Sequence, residues 1–176
     1  MIAALWLSLT ASPGLASDEN LPIRPFRARI LRVVDGDTVW VKNLASGRRV
    51  KVRIWGIDTP EKFPSRKLSR DARRCHVDAE SIRRLGREAS LAAMRLLDRR
   101  VVEVIPEGRG YYGRLLARIV IPPDLDFGKW MIENGYACIY RRNREAEAVY
   151  GPALRQAETH ARGLWRETRL MMCLCR

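Results

Sequence analysis

The sequence predicts a mainly β domain of the α+β class, in which five strands form a small barrel and three helices surround it. Short runs in the N-terminal half alternate apolar and polar residues and are separated by turn signals, as expected for half-buried strands. Between residues 79 and 97 the apolar residues instead recur at helical spacing. A chain of 176 residues is long enough for one domain with its own core and too short for two catalytic domains.

The first three strands are predicted to form an antiparallel meander. Asp35-Gly36 gives a strong hairpin signal between the first two strands, and Gly47 lies in the turn before the third. The predicted strands cover residues 26–34, 37–42 and 50–57. In such a meander the first turn and the end of the third strand lie at the same end of the sheet. Asp37 and Asp58 are therefore expected to approach each other.

The rest of the chain is predicted to add two strands, three helices and two irregular segments. The helices cover residues 79–97, 126–134 and 151–163, and the strands cover residues 101–105 and 115–121. Asp126 is a suitable N-terminal cap, and Pro152 suits the first turn of the last helix. A basic, irregular insertion is predicted over residues 62–76 and a polar loop over residues 141–149. Five strands with a helix between the third and fourth fit a barrel of the oligonucleotide/oligosaccharide-binding type, the OB fold.

The composition at the two ends predicts where the domain begins and ends. Residues 1–16 are apolar and finish in small residues, which is typical of a cleavable export signal, and residues 17–25 are a polar linker. The domain is predicted over residues 26–166 and a C-terminal tail over residues 167–176. We expect a periplasmic or secreted protein with no membrane span after signal cleavage. The alternatives are an N-terminal membrane anchor, for which the segment is too short, and an incorrectly assigned start.

The four cysteines are an even number in a chain with a predicted export signal, so one or two disulfides are expected. The sequence leaves their connectivity open. A zinc centre is disfavoured because the chain has only two histidines, and Cys173-Leu174-Cys175 lacks the usual two-residue spacer.

The chain is strongly basic, with 33 lysines and arginines against 20 aspartates and glutamates and a net charge of +13. This charge favours a polyanionic partner, either nucleic acid or an anionic membrane surface. A protein that is merely basic is the alternative, so the motifs must decide.

Residues 53–61 carry the main chemical signal, because an arginine and two carboxylates lie on one short segment. Arg53 is on the third predicted strand, and Asp58 and Glu61 lie in the turn after it. Hydrolysis of a phosphodiester needs a hard cation on oxygen ligands, a guanidinium on the phosphate and a carboxylate that takes a proton from water. Strand alternation separates Arg53 from Asp58 unless the strand bends, and Gly56 allows a bend.

The first hairpin adds further acids to this end of the sheet. Asp35 is sufficiently explained by its turn, but Asp37 opens a strand close to another carboxylate. Two such charges repel unless a cation or hydrogen bonds compensate.

These motifs belong to an ordered set of segments, and this set resembles the motifs of the staphylococcal (micrococcal) nuclease family. Each motif alone is weak, and the ordered set over residues 26–165 is specific. The matching segments are 34–39 (VDGDTV), 53 with 57–61 (IDTPE), 86–89 (GREA), 112–114 (YGR) with 116–117, 134–137 (NGYA), and 154–158 leading to 163–165.

The resemblance implies a five-stranded barrel with three helices and a calcium-dependent hydrolysis of DNA and RNA with little sequence preference. It implies that Asp37 and Asp58 ligate Ca²⁺ through carboxylates and Thr59 through its backbone carbonyl, with Asp35 supporting them from nearby. The implied catalytic residues are Arg53 and Arg114, which hold the phosphate, and Glu61, which activates the water. Tyr112 and Tyr140 are candidate substrate contacts, with a place in the core as the alternative for both. We expect a monomer.

Two other classes of function stay open at this point. The first is a catalytically silent OB-fold module that binds nucleic acid, and the second is a basic periplasmic protein that binds another polyanion or the envelope surface. The presence of all three acids and both arginines favours the enzyme. The segment after Glu61 is long and arginine-rich, and residues 141–143 replace the second of a tyrosine pair in the family pattern, so substrate preference is open as well.

Overall fold

A closed five-stranded barrel forms the centre of the protein, whose computed structural model describes residues 24–110 and 113–176. The barrel strands are β1 (Phe26–Asp35), β2 (Thr38–Asn43), β3 (Arg49–Ile54), β5 (Val101–Arg109) and β6 (Leu115–Ile121). Antiparallel pairing runs in the order β3-β2-β1-β5-β6, and parallel pairing of β3 with β6 closes the barrel. The short strand β7 (Leu125–Asp126) extends β6, and β4 (Ile57–Asp58) pairs separately with β8 (Cys138–Ile139). The predicted fold class is confirmed.

Alternation along the strands fills the barrel with aliphatic side chains. On β1 to β3 the residues Ala28, Ile30, Val41 and Val52 are almost fully buried, and their sequence neighbours face outward. Burial of one such side chain stabilises the fold by about 1.5–3 kcal/mol for Val or Ile. The barrel core is thus the rigid support for the residues at its rim.

Five α-helices lie around the barrel in the described part of the chain. They are α1 (Arg66–Cys75), α2 (Ala79–Leu97), α3 (Phe127–Glu133), α4 (Arg144–Thr159) and α5 (Thr168–Leu174), and a 3-10 helix covers Gly163–Glu167. Helices α2, α3 and α4 correspond to the three that the sequence predicted. Of the described helices, none is long and apolar enough to cross a bilayer.

The prediction of an irregular insertion over residues 62–76 was wrong, because residues 66–75 form α1. The Ser65 side chain caps this helix by accepting a hydrogen bond from the Leu68 N–H, and His76 ends it in the left-handed conformation with φ of 53°. The helix buries only Leu68 and Asp71, so it has almost no apolar pattern. It packs against α2 and α5, and these tertiary contacts explain why periodicity did not reveal it.

The prediction of a polar loop over residues 141–149 was also wrong, because α4 already begins at Arg144. Asn143 caps it by accepting a hydrogen bond from the Ala146 N–H at 2.9 Å. Pro152 therefore lies inside the helix and not in its first turn. Burial of Ala146 and Tyr150 on the inner side of α4 outweighs the hydrogen bond that the proline removes.

The segment that we predicted as a C-terminal tail contains α5, which two disulfides fix to the rest of the protein. Cys75 at the end of α1 pairs with Cys173, and Cys138 on β8 pairs with Cys175, with Cα atoms 5.8 and 5.2 Å apart. Trp165, just before α5, is 1% exposed. The predicted export signal and most of the predicted linker lie outside the described residues.

Candidate active site

A sharp bend between β3 and β4 brings Arg53 and Asp58 together. Strand β3 ends at Ile54, earlier than predicted, and Gly56 adopts φ of 77° before Ile57 starts β4. An added Cβ on Gly56 would lie 2.8 Å from the Ala146 Cβ, so α4 also requires glycine here. Because of this bend, Arg53 Nη2 donates to Asp58 Oδ1 at 2.9 Å.

The Arg53 guanidinium lies between two carboxylates. Its Nη2 binds Asp58, and its Nη1 forms an ion pair with Asp37 Oδ1 and also contacts the Asp37 carbonyl oxygen at 3.4 Å. Burial would lower the pKa of Arg53, but the charges of Asp37 and Asp58 outweigh it and raise that pKa. The two acids that lie 21 residues apart in sequence are therefore joined by one cation.

Asp37 is buried in this cluster, at 7% exposure. Its Oδ2 accepts hydrogen bonds from the Thr59 N–H at 2.9 Å and the Thr59 hydroxyl at 3.0 Å, and its Oδ1 accepts one from the Thr38 hydroxyl at 3.0 Å. Burial favours the neutral acid, but Arg53 and the Thr59 donors outweigh it and lower the pKa of Asp37. Asp37 thus stays charged and links the first hairpin to the turn after β4.

Two glycines let the surrounding elements come close to this turn. A Cβ on Gly36 would lie 2.7 Å from the Thr59 Cγ2, so the hairpin turn packs directly on Thr59. A Cβ on Gly86 would lie 2.7 Å from the Pro60 oxygen, the Glu61 carbonyl carbon and the Lys62 nitrogen. Helix α2 therefore contacts the backbone that carries Glu61, and only glycine permits this distance.

Asp35 supports Asp37 from the hairpin. Its Oδ1 accepts a hydrogen bond from the Asp37 N–H at 3.1 Å. Burial, together with the negative charge of Asp37, raises the pKa of Asp35 to about 7. Asp35 therefore changes its charge near neutral pH in the absence of a metal.

Helix α1 adds a second cation, Lys67, which sequence analysis did not find. Its Nζ lies 3.2 Å from Asp58 Oδ2, 3.3 Å from Glu61 Oε1 and 3.6 Å from Asp71 Oδ2. Burial would lower the pKa of Lys67, but the three carboxylates outweigh it and raise that pKa. Asp58 therefore has Arg53 on one oxygen and Lys67 on the other.

Asp58 and Glu61 differ in their surroundings. Burial and the nearby charge of Asp37 raise the pKa of Asp58 in spite of Lys67 and Arg53. Glu61 accepts a hydrogen bond from the Ser65 hydroxyl at 3.0 Å through its Oε2.

The sequence prediction missed Ser65, Lys67 and Asp71 because it assigned their segment as irregular. Two signals for a helix were nevertheless present, the serine cap and the i, i+4 spacing of Lys67 and Asp71.

Arg114 directly precedes β6, the strand that closes the barrel against β3. Its neighbours Leu115 and Leu116 pair with Val52 and Arg53 in parallel register. The backbone at Arg114 is thus next to the strand that carries Arg53. The Arg114 carbonyl accepts a hydrogen bond from the Gly110 N–H at 2.8 Å.

The two candidate tyrosines differ in what the structure describes. Tyr140 is 40% exposed, and its N–H donates to the Gly56 carbonyl at 2.8 Å, directly at the bend before Asp58. It is therefore not a core residue. Tyr112 lies outside the described residues.

The carboxylates alone do not form a preformed metal cage. Within residues 24–110 and 113–176 there is no group of three or more acidic, histidine or cysteine side chains with metal-binding geometry. Asp37 and Asp58 supply oxygen donors on either side of Arg53, and Thr59 lies beside Asp37. Such a set suits a hard cation that takes its remaining ligands from water and substrate.

Comparison with known proteins identifies the family. The chain matches the model of the staphylococcal nuclease homologue family over residues 51–167, a span that starts within β3 and ends before α5. The chain belongs to the staphylococcal nuclease family. The resemblance drawn from the ordered motifs is thereby confirmed.

Relatives of this family member include proteins named as endonucleases. It is 30% identical over 148 residues to endonuclease YhcR of Bacillus subtilis. The aligned residues make up 80% of this chain and 11% of the Bacillus protein. It is 27% identical over 137 residues to an uncharacterized endonuclease of Escherichia coli O157:H7, covering 78% of this chain and 75% of the other. It is 28% identical over 151 residues to the uncharacterized protein MJ1439 of Methanocaldococcus jannaschii, covering 80% and 72%. The chain thus spans about a tenth of the Bacillus protein and about three quarters of the other two.

Proposed function

We propose that this staphylococcal nuclease family member is a calcium-dependent nuclease that hydrolyses phosphodiester bonds of DNA, RNA or both with little sequence preference. The observation that carries the proposal is the Arg53 guanidinium between the Asp37 and Asp58 carboxylates, with Glu61 next to Asp58 across Lys67. Membership of the family and relatives named as endonucleases support it.

The arginines are assigned to the phosphate. A guanidinium offers two parallel N–H donors that match two phosphate oxygens, which lysine does not. Arg53 now directs these donors at the two carboxylates and would direct them at a bound phosphate instead. Arg114, directly before the neighbouring strand β6, would meet the negative charge that accumulates as water adds to phosphorus.

Glu61 is assigned as the general base. A water oxygen forms a new bond to phosphorus while the Glu61 carboxylate takes a proton from that water. The bond from phosphorus to the 5′ oxygen breaks, and the leaving 5′ oxygen takes a proton from solvent and departs as a hydroxyl. Glu61 is held for this task by Ser65 on one oxygen and Lys67 on the other, and by the close packing of Gly86 under its backbone.

The residues present fit a calcium ion. Asp37 and Asp58 would hold it through their carboxylates, Thr59 through its backbone carbonyl and Asp35 indirectly, an all-oxygen set of the kind that Ca²⁺ prefers. When bound, Ca²⁺ would act as a Lewis acid on a phosphate oxygen and on the attacking water.

The decisive experiment follows cleavage and binding of single-stranded DNA with Ca²⁺ and then with chelator. We expect cleavage that chelator abolishes. Glu61→Gln should lower turnover by about 10²–10⁴-fold and leave DNA affinity nearly unchanged. Glu158→Gln, on an exposed position of α4, is the matched control and should be fully active. Binding without cleavage would instead identify a silent OB-fold module, and neither activity would favour a protein for another polyanion.

We further propose that the protein acts as a monomer after export to the periplasm or the medium. The apolar residues 1–16 support export, and two disulfides are typical of an oxidising compartment. All described site residues come from one chain, so a second copy is not required. Mass spectrometry of the exported protein should show an N-terminus at residue 17, and sedimentation should give the mass of one chain.

A further inference from the structure

The outer face of the first three strands carries a cluster of cations around one tryptophan. We call this cluster, five cations and one tryptophan, the basic face. Alternation along the strands directs all six side chains away from the barrel core. Strand pairing arranges them in two rows that cross β1, β2 and β3: Arg29, Lys42 and Arg49 in the first row, and Arg32, Trp40 and Lys51 in the second.

The charges of the basic face are not neutralised by nearby acids. Among residues 24–110 and 113–176, none of its five cations forms an ion pair with a carboxylate. Arg29 lies directly opposite Lys42, and Lys42 lies directly opposite Arg49. Like charges that face each other across strands destabilise a sheet. A bound polyanion would offset this repulsion.

The basic face leads into the candidate active site. Arg53 follows Arg49 and Lys51 on the same side of β3, since side chains alternate along a strand. Thr38 pairs with Arg53 in the same way as Trp40 pairs with Lys51. The row that contains Arg53 is therefore adjacent to the row that contains Trp40, about 7 Å further along the strand.

Trp40 offers a ring surface within these cations. It is 36% exposed, and Lys51 Nζ lies 6.0 Å from the centre of its ring. Proteins that bind single-stranded nucleic acid without sequence preference combine a positive track for the backbone with aromatic rings on which bases stack. A base can stack on Trp40 only if it is unpaired, so this arrangement selects a single strand.

We propose that the basic face binds the single-stranded part of the substrate that extends beyond the cleaved bond, with phosphates on its cations and a base stacked on Trp40. The inference extends the proposed function, because it takes the cleaved phosphate to lie at Arg53. It assigns to β1, β2 and β3 a role in holding the strand, apart from the residues that break the bond.

The test measures binding of a labelled oligothymidylate of about 16 nucleotides to the full chain in the presence of chelator. Under these conditions a metal-dependent nuclease does not cut, so the result is independent of the reaction. The variants are Trp40→Ala and the double variant Lys42→Gln with Arg49→Gln. The matched control is Arg155→Gln with Arg169→Gln, which removes two exposed arginines from α4 and α5.

Each variant has its own expected result. The double variant should reduce the slope of log affinity against log salt by about 1.4, because each lost phosphate contact on a single strand contributes about 0.7. Trp40→Ala should weaken binding about 5- to 150-fold. The control should change neither quantity. Thermal unfolding checks folding, and the double variant should unfold at the same temperature as the unmodified protein or above it.

Several results would overturn the inference. An unchanged salt slope in the double variant, or an equal change in the control, would remove the basic face from the binding site. Heparin has no bases, so an equal loss of heparin and oligothymidylate binding in Trp40→Ala would refute stacking. Binding of phosphatidylglycerol vesicles through these residues, without binding of the oligonucleotide, would assign the face to a membrane. A protein that binds as expected but never cuts would refute the proposed function and leave the basic face as a binding surface for a single strand.

Discussion

Lys67 Nζ lies 3.2 Å from Asp58 Oδ2, so helix α1 inserts a cation at a carboxylate that is assigned to the metal. Lys67 also lies 3.3 Å from Glu61 Oε1. A positive charge at this position has two opposite effects. It repels a calcium ion that shares Asp58, and it fixes the carboxylate of Glu61.

Lys67→Met should therefore raise calcium affinity and lower turnover. Removal of one nearby positive charge is expected to tighten calcium binding about tenfold, or about 1.4 kcal/mol, and the loss of a partner for Glu61 should reduce kcat. Isothermal titration calorimetry measures the affinity directly, without reference to activity. Lys129→Met, at an exposed position on α3, is the control and should leave both quantities unchanged. A weaker calcium affinity in Lys67→Met would show that this lysine supports the metal.

The second prediction concerns the contact between α2 and the backbone of Glu61. Gly86→Ala would place a Cβ 2.7 Å from three backbone atoms of residues 60–62, and backbone cannot rotate away as a side chain can. We expect the free energy of unfolding to fall by about 1–3 kcal/mol. Turnover of the folded variant should fall as well, since Glu61 must shift. Chemical denaturation and turnover measure the two effects.

Gly151→Ala in α4 is the matched control for Gly86→Ala. Its nearest neighbours are the ends of the Arg155 and Glu147 side chains, at 3.2 and 3.3 Å, which can move aside. Alanine in a helix is then favoured over glycine by about 0.5–1 kcal/mol. The two variants should change stability in opposite directions, and equal effects would contradict the close approach at Gly86.

Much of the barrel, and the approach of Asp37 and Asp58 at its rim, could be predicted from sequence because the signals are local. Alternation gave the strands, and Asp35-Gly36 and Gly56 marked the two turns that bring Asp37 and Asp58 to Arg53. Lys67 escaped prediction for a different reason. Its helix buries only two residues and depends on α2, α5 and a disulfide, and contacts across 98 residues leave no periodic pattern. The start of α4 was missed because Pro152 suggested a later beginning, while packing of Tyr150 overrides that local preference.

The third prediction concerns pH and Asp35 in the metal-free protein. Burial and Asp37 raise the pKa of Asp35 from 3.8 to about 7 in the folded state. Between these values the folded protein holds a proton that the unfolded chain has lost, so the contribution of Asp35 to stability is full below pH 4 and is lost as the pH rises through 7. Asp35→Asn keeps an oxygen for the Asp37 N–H and removes the charge. Its stability relative to the unmodified protein should rise by about 1–3 kcal/mol between pH 4 and pH 8.

Urea unfolding in chelator at several pH values measures this difference. Asp124→Asn, on the exposed turn before β7, is the control and should show a difference that does not change with pH. A difference for Asp35→Asn that stays constant, or that falls with rising pH, would show that Asp35 is already charged at pH 5.

The last prediction concerns the disulfides, which both join α5 to segments that carry the site. Cys75 ends the helix of Lys67, and Cys138 pairs on β8 with Asp58 of β4. Loss of a link that closes a loop of 98 residues should cost about 3–5 kcal/mol, and loss of the link over 37 residues somewhat less. We therefore expect Cys75→Ser with Cys173→Ser to be the less stable double variant.

The two disulfide variants should also differ in function, because they release different parts of the site. Release of α1 should reproduce the tighter calcium binding of Lys67→Met, since it lets the lysine leave Asp58. Cys138→Ser with Cys175→Ser should instead weaken calcium binding, because β8 no longer holds Asp58 as firmly. Calorimetry at a temperature where both variants are folded separates the two outcomes. Weaker binding in both would mean that α5 acts only as a general clamp on the fold.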